Sequence, residues 1–164
     1  RFDSAASWAQ FAGPGGWNDL DAMDVADGAL DGVTNTERQT YMTLWAMAAA
    51  PMYMGDDLTR LDSFGKSLLT NAAVIAVDNS GHAAKRITSG TLQVFAKKND
   101  DGSSTVAFFN LGGSTATISV SWSALGISGT KALTNLWTGA SLGNATNSFS
   151  ASVVSHGTLL FSVK

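Results

Sequence analysis

The hydrophobic rhythm of the chain changes once, and the change divides it in two. Up to about residue 86, apolar positions recur at helical spacing, broken by short apolar runs and Gly-rich turns. Residues 4–11 read as the last turns of a helix, with Trp8 and Phe11 on one face and Gly13 to end it. A longer helix is predicted from about Thr36 to Ala49, with Tyr41, Leu44, Trp45 and Ala48 on one stripe and Met42, Ala46 and Ala49 on the next. Thr34-Asn35-Thr36-Glu37 offers it a capping box, and Pro51 stops it. Residues 63–69 predict another helix, with Asn71 as its stop. Two short strands, 17–21 and 52–54, and an Asp- and Gly-rich loop over 24–33 lie between. This alternation is the order of a parallel α/β sheet or barrel.

From Ile87 the period drops to two. Runs at 91–97, 105–111, 116–122, 131–137, 148–154 and 158–163 are separated by Gly, Asn, Asp and Ser. Asn99-Asp100-Asp101-Gly102-Ser103 and Gly112-Gly113-Ser114 read as hairpin turns. Strands at such intervals predict an antiparallel β-sandwich, of Greek-key type. The expected domains are therefore residues 1–86, an α/β unit, and residues 87–164, the sandwich, joined without a long linker.

Charge refines the picture. The whole chain carries −3, which gives no electrostatic case for nucleic acid or an anionic membrane as partner. Residues 1–60 hold nine of the 13 acids and three of the 10 basic residues, which concentrates negative charge beside the Gly-rich turn. With no cysteines, disulfides and thiolate metal sites are excluded. His82 and His156 stand far apart without a second ligand at metal-binding spacing, so neither a metal nor another cofactor is expected. No run of 18 apolar residues occurs, and the first residues lack the pattern of a signal peptide. The chain, opening on Arg1, reads as a piece of a longer protein.

The candidate chemistry centres on Gly13-Pro14-Gly15-Gly16-Trp17-Asn18-Asp19-Leu20-Asp21-Ala22-Met23-Asp24. Three glycines and a proline make a turn. On an extended chain, Asp19 and Asp21 then point to one side. Such a pair needs cations, donors or a polar ligand, unless it is a solvated Asx turn, which spacing allows equally. Trp17 suits either a pocket floor or core packing. Asp56 and Asp57 fit a turn or helix cap at least as well as substrate contact. Asn144-Ala145-Thr146 is a glycosylation sequon on an expected loop.

Three stretches carry a resemblance: Ala12-Gly13-Pro14-Gly15-Gly16-Trp17-Asn18-Asp19-Leu20-Asp21, Leu44-Trp45-Ala46-Met47-Ala48-Ala49-Ala50-Pro51 and Gly55-Asp56-Asp57-Leu58. His156-Gly157-Thr158-Leu159-Leu160 adds a weaker match. Together they resemble the C-terminal part of glycoside hydrolase family 27, the α-galactosidases and α-N-acetylgalactosaminidases. The resemblance implies the last two βα units of a (β/α)₈ barrel followed by the family's sandwich. It implies a retaining exo-glycosidase acting on terminal α-linked galactose, with a carbohydrate substrate and the N-terminal part of the barrel as partners. Secretion is likewise implied by the resemblance alone.

Retaining chemistry needs two carboxyl groups about 5–5.5 Å apart. In the family these end the fourth and sixth strands, which places the nucleophile and the acid/base upstream of Arg1. Asp3 lies too close to Gly13 to be either. The substrate-binding residues implied here are Asp21, Asp19, Trp17 and Ala22. Asp21 matches the aspartate beside the acid/base, and Asp19 orients its neighbours. The chain departs from the family at Leu20, usually proline, and at Ala22, usually methionine, which implies a wider pocket. β-L-Arabinopyranosidase and isomalto-dextranase activities, both found in the family, fit that change. A non-catalytic carbohydrate-binding or structural module is the reading from another class, although Trp122 and Trp137 are thin support for a binding face. Two βα units alone expose apolar surface, so residues 1–86 are expected to aggregate or associate with an upstream segment.

Overall fold

The computed structural model describes residues 1–164 and contains two compact units, Arg1–Ala83 and Ala84–Lys164. The division falls three residues ahead of the expected 86/87 boundary, because Lys85–Thr88 already pairs as a strand.

The first unit is helical. Helix α1 (Phe2–Trp8) runs into a 3₁₀ turn at Ala9–Phe11. A one-turn helix, α2 (Gly28–Asp31), lies inside the expected loop, capped by the Asp27 carboxylate and ended by Gly32 at φ 69°. Helix α3 (Asn35–Ala48) begins with the complete capping box, Thr34 accepting from Glu37 N–H while Glu37 reaches back to Thr34. The expected stripe and its neighbour are both covered, Leu44, Trp45, Ala46 and Met47 being no more than 2% exposed. Burial of such side chains is worth about 1.5–3 kcal/mol each, so packing rather than propensity holds α3. Helix α4 (Ser63–Leu69) matches its expected bounds. Helix α5 (Ala72–Asn79) was not expected: Asn71 is its N-cap, not a stop, accepting from Ala73 and Val74 N–H at 3.1 Å each. Both α4 and α5 pack against α3. No helix is long and apolar enough to cross a membrane.

The two strands expected at 17–21 and 52–54 contract to one parallel bridge between Met23 and Met54. Met23 N–H donates to Tyr53 C=O, and Gly55 N–H to Met23 C=O, both at 2.9 Å. The reason is local: Asp21 takes φ 84°, which interrupts an extended chain before a ladder can form. The parallel sense agrees with the α/β reading.

The second unit is an antiparallel sandwich. Its strands are β1 (Lys85–Thr88), β2 (Leu92–Lys98), β3 (Ser104–Asn110), β4 (Ala116–Ser121), β5 (Thr130–Asn135), β6 (Ser141–Thr146), β7 (Ser148–Val153) and β8 (Thr158–Val163). Six form one sheet in the order β1-β2-β3-β8-β5-β6, and β4 pairs with β7 in the other. The last strand thus inserts between β3 and β5. The Asn99–Ser103 turn closes the β2–β3 hairpin as expected. Gly112-Gly113-Ser114 does not close a hairpin, since β3 and β4 belong to different sheets. Val94, Val106, Phe108, Ile118, Val120, Trp122 and Phe161 fill the space between the sheets, and the Phe108 and Phe161 rings meet edge to face at 5.1 Å.

Candidate functional site

The acidic stretch is launched by a closed turn. Gly13 and Gly16 exchange backbone hydrogen bonds at 2.9 Å, and Gly15 takes φ 100°, which a side chain would resist. Trp17 follows with its indole N–H donating to Gly81 C=O at 3.0 Å and 45% of its surface exposed. It borders two hollows. One, about 300 Å³, is shared with Pro51 and Asn79; the other, about 380 Å³, with Trp8 and Asp19. Trp17 is therefore a wall residue anchored at its polar end, not a core residue.

Asp19 and Asp21 do not point to one side of a strand. The Asp19 carboxylate turns forward to accept Asp21 N–H at 2.7 Å, an Asx turn. Asp21 sits in the left-handed region, its carboxylate 2.7 Å from the Arg1 guanidinium and two-thirds exposed. An exposed pair of this kind contributes about 0–1 kcal/mol and leaves the carboxylate available. The backbone of Asp21 is better fixed than its side chain. Trp45 Nε1–H donates to its carbonyl at 3.1 Å, and Ala22 N–H returns to its own Oδ1 at 2.9 Å. Trp45 is fully buried and stacked on Tyr41 at 4.2 Å, and the Tyr41 hydroxyl donates to Ala22 C=O at 3.2 Å. Helix α3 thus holds Asp21 and Ala22 by their carbonyls. Ala22 itself is half-buried, and a Cβ built on Gly55 would come within 3.0 Å of its methyl group.

The turn after the Met23–Met54 bridge adds carboxylates that sequence reasoning left in a loop. Asp56 Oδ2 accepts Val25 and Ala26 N–H at 2.6 and 2.7 Å, so it ties the two chain segments together. Asp24 and Asp31 gather beside it. Burial, then the charges of Asp56 and Asp21, push the Asp24 carboxyl up from its ordinary value. Burial, then a hydrogen bond that protonated Asp31 donates to Asp56 and repulsion from the Asp56 charge, does the same to Asp31. Only the density of aspartates over residues 19–31 signals this grouping in the sequence.

The remaining candidates lie apart from this group. Asp57 caps a 3₁₀ turn, Leu58–Arg60, and hydrogen bonds from Thr59 hold its carboxyl below the usual range. Asp3 occupies the first turn of α1. His82 is an exposed loop residue, and His156 turns the chain between β7 and β8 at φ 56°. No three His, Asp or Glu side chains are grouped to hold a metal ion.

Residues 2–80 match the family described as alpha galactosidase A, and residues 89–163 the alpha galactosidase C-terminal beta sandwich domain. The chain belongs to glycoside hydrolase family 27. Its similarity to the α-galactosidase of Oryza sativa is 36% identity over 161 residues, 95% of this chain and 38% of that protein. The crystal structure of α-galactosidase I from Mortierella vinacea shares 30% identity at a TM-score of 0.89, covering 97% of this chain and 42% of that one. A family 27 β-L-arabinopyranosidase from Geobacillus stearothermophilus, also solved as a variant in complex with arabinose, superposes at 0.92 with 27% identity, covering 99% and 40%. The chain spans about two-fifths of the length of these family 27 relatives, and the part it matches includes their C-terminal sandwich.

Proposed function

We propose that this chain is part of a retaining exo-glycosidase that removes terminal α-linked galactose, and that it supplies pocket lining rather than the reacting acids. The observation that carries this reading is Asp21: a non-glycine residue at φ 84°, its backbone held at both ends, with its carboxylate presented outward. Backbone strain of this kind costs about 1–3 kcal/mol and persists where neighbours over-determine it, as pockets do. Beside the acid/base, the Asp21 carboxylate raises that group's pKa by like-charge repulsion and accepts donors from the sugar. Asp19 orients Asp21, Trp17 offers an aromatic wall, and Ala22 leaves room next to Asp21.

The nucleophile and the acid/base come from chain outside these residues, in the N-terminal part of the barrel. That part is also the partner that covers the first unit. Trp8 at 58% exposure, Phe11 at 65% and Tyr53 at 45% are the bare aromatics such a partner would cover, Trp8 and Phe11 lying 5.4 Å apart. The Met23–Met54 pair is one isolated parallel bridge, and a barrel needs further strands beside it.

The test is hydrolysis of aryl α-D-galactoside by the complete enzyme, with Asp21→Asn alongside. Turnover of the galactoside, lost by orders of magnitude in a folded Asp21→Asn variant, is the expected result; undiminished turnover removes Asp21 from the pocket. A second reading, β-L-arabinopyranosidase, is supported by the small side chain of Ala22 and by the likeness to the Geobacillus stearothermophilus enzyme. Preference for aryl β-L-arabinopyranoside over the galactoside decides in its favour.

A further inference from the structure

Tyr53 reaches the Asp21 segment at two points, two residues before Asp21 and two residues after it. Its backbone carbonyl accepts Met23 N–H at 2.9 Å, a bond that any residue at this position supplies. Its phenol hydroxyl lies 3.4 and 3.3 Å from Oδ1 and Oδ2 of Asp19, a contact that needs the hydroxyl. Sharing one proton between two oxygens lengthens both contacts, yet it adds a second restraint on how the carboxylate sits about its last torsion. The same Oδ1 accepts Asp21 N–H at 2.7 Å. Trp45 holds the other side of Asp21 through its carbonyl.

We propose that Tyr53 is a positioning residue, acting through Asp19 to hold Asp21 in the orientation the sugar pocket uses. The inference rests on the reading of Asp21 as a pocket residue. Two further features fit it. Asp21 occupies a conformation that a non-glycine residue keeps only when its surroundings hold it there. Partial desolvation, then the Asp19 charge and hydrogen bond, raises the phenol above its ordinary value, the direction expected of a hydroxyl that donates to a carboxylate.

Tyr53→Phe is a clean probe, because the ring and the carbonyl bond to Met23 both stay. In the complete enzyme, assayed with whichever of the two aryl glycosides it turns over, kcat/KM is expected to fall about tenfold, the worth of one directed hydrogen bond. The fall lies in kcat, with Tm unchanged. The basic limb of the pH profile moves to lower pH, because an Asp21 charge that wanders repels the neighbouring acid less. On an Asp19→Ala background, Tyr53→Phe is expected to have no further effect. An unchanged pH profile and kcat, while Asp21→Asn abolishes turnover, overturns the role of Tyr53 and leaves Asp21 in place. If Asp21→Asn is also silent, both readings fall.

Discussion

Arg38 and Asp62 meet through both prongs of the guanidinium, Nη1 at 2.9 Å from Oδ2 and Nη2 at 2.8 Å from Oδ1. Arg38 is 1% exposed, and its remaining donors are used as well. Nε and Nη2 donate to Val25 C=O at 3.0 and 2.7 Å, and Nη1 to Asn35 Oδ1 at 2.8 Å. The Phe64 ring lies against the guanidinium at 5.1 Å. This one side chain therefore joins α3, the start of α4 and the loop that follows Asp21. Arg38→Met is expected to cost about 3 kcal/mol or more, because Val25 C=O loses both donors inside the protein. Arg38→Lys should recover little, since an ammonium cannot make the fork. Denaturant midpoints of the two variants against the parent check both statements.

Carboxylates near this junction respond to acid in opposite directions. Hydrogen bonds from Arg38, then from Gly65 N–H, hold Asp62 down to about 2, so the folded state binds its proton less tightly than the unfolded chain. Its contribution is present above the ordinary carboxylate value of 3.8 and is lost as the pH falls from there through about 2. Asp31 is raised, so the folded state binds its proton more tightly, and a penalty appears as the pH rises above 3.8. Asp31→Asn is therefore expected to raise Tm at about pH 7, with the gain gone near pH 3, while Asp62→Asn lowers Tm most at neutral pH and least near pH 2. Thermal melts across that range separate the two, and an Asp31→Asn gain that persists in acid would contradict the sign for Asp31.

Gly65 sets helix propensity against space. Gly65 is the third residue of α4, and inside a helix Gly→Ala ordinarily gains up to about 1 kcal/mol. Here a Cβ would lie 2.5 Å from Ala26 C=O and 2.7 Å from Arg38 Nη2, both atoms held in place by the same cluster. Overpacking of that kind costs about 1–3 kcal/mol and more where nothing can yield. The clash wins: Gly65→Ala is expected to destabilise by about 2 kcal/mol, read as a lower denaturant midpoint at unchanged slope. A stabilised variant would show that the cluster relaxes more easily than its bonding suggests.

What the sequence announced follows from how local each signal is. The capping box at Thr34 and Glu37 and the apolar stripes of α3 are written within a few residues, and α3 starts one residue from its predicted position. The two strands that pattern reading missed, β1 and β6, are the edges of the six-stranded sheet. Edges tolerate Lys85, Arg86, Gly143 and Asn144, so no period of two is needed there. The same reason moves the Asn144 sequon from an expected loop into exposed edge strand β6. Asn71 was ambiguous because asparagine serves both helix ends, and only the donors of Ala73 and Val74 decide which. At the site, the residues Trp17, Asp19, Asp21 and Ala22 stood out from the sequence, but not their geometry. The positive φ of Asp21 depends on Trp45 and Asp19 meeting around it, one of them 24 residues away.

Asn110 is fully buried at the end of β3, and its amide clasps the two sheets of the sandwich. Nδ2 donates to Ser114 C=O at 2.8 Å, to Val153 C=O at 2.9 Å and to Val154 C=O at 3.1 Å, sharing two hydrogens among three carbonyls. Oδ1 accepts Gly112 N–H at 2.9 Å. Val153 belongs to β7 in the smaller sheet, so the clasp fixes where the chain leaves one sheet for the other. Asn110→Ala strands these groups at once, and a loss of about 3 kcal/mol or more is expected. Asn110→Asp keeps the shape but reverses the chemistry: an ionised carboxylate faces three carbonyl oxygens and donates nothing. At neutral pH it should be at least as damaging as Asn110→Ala. Buried without a cation, that carboxyl would have a raised pKa, so Asn110→Asp should regain stability as the pH falls, whereas Asn110→Ala should not. Parallel denaturant titrations of the two variants, at neutral pH and in mild acid, make the comparison. A failure of Asn110→Asp to improve relative to Asn110→Ala would mean that the carbonyl triad is not what Asn110 serves.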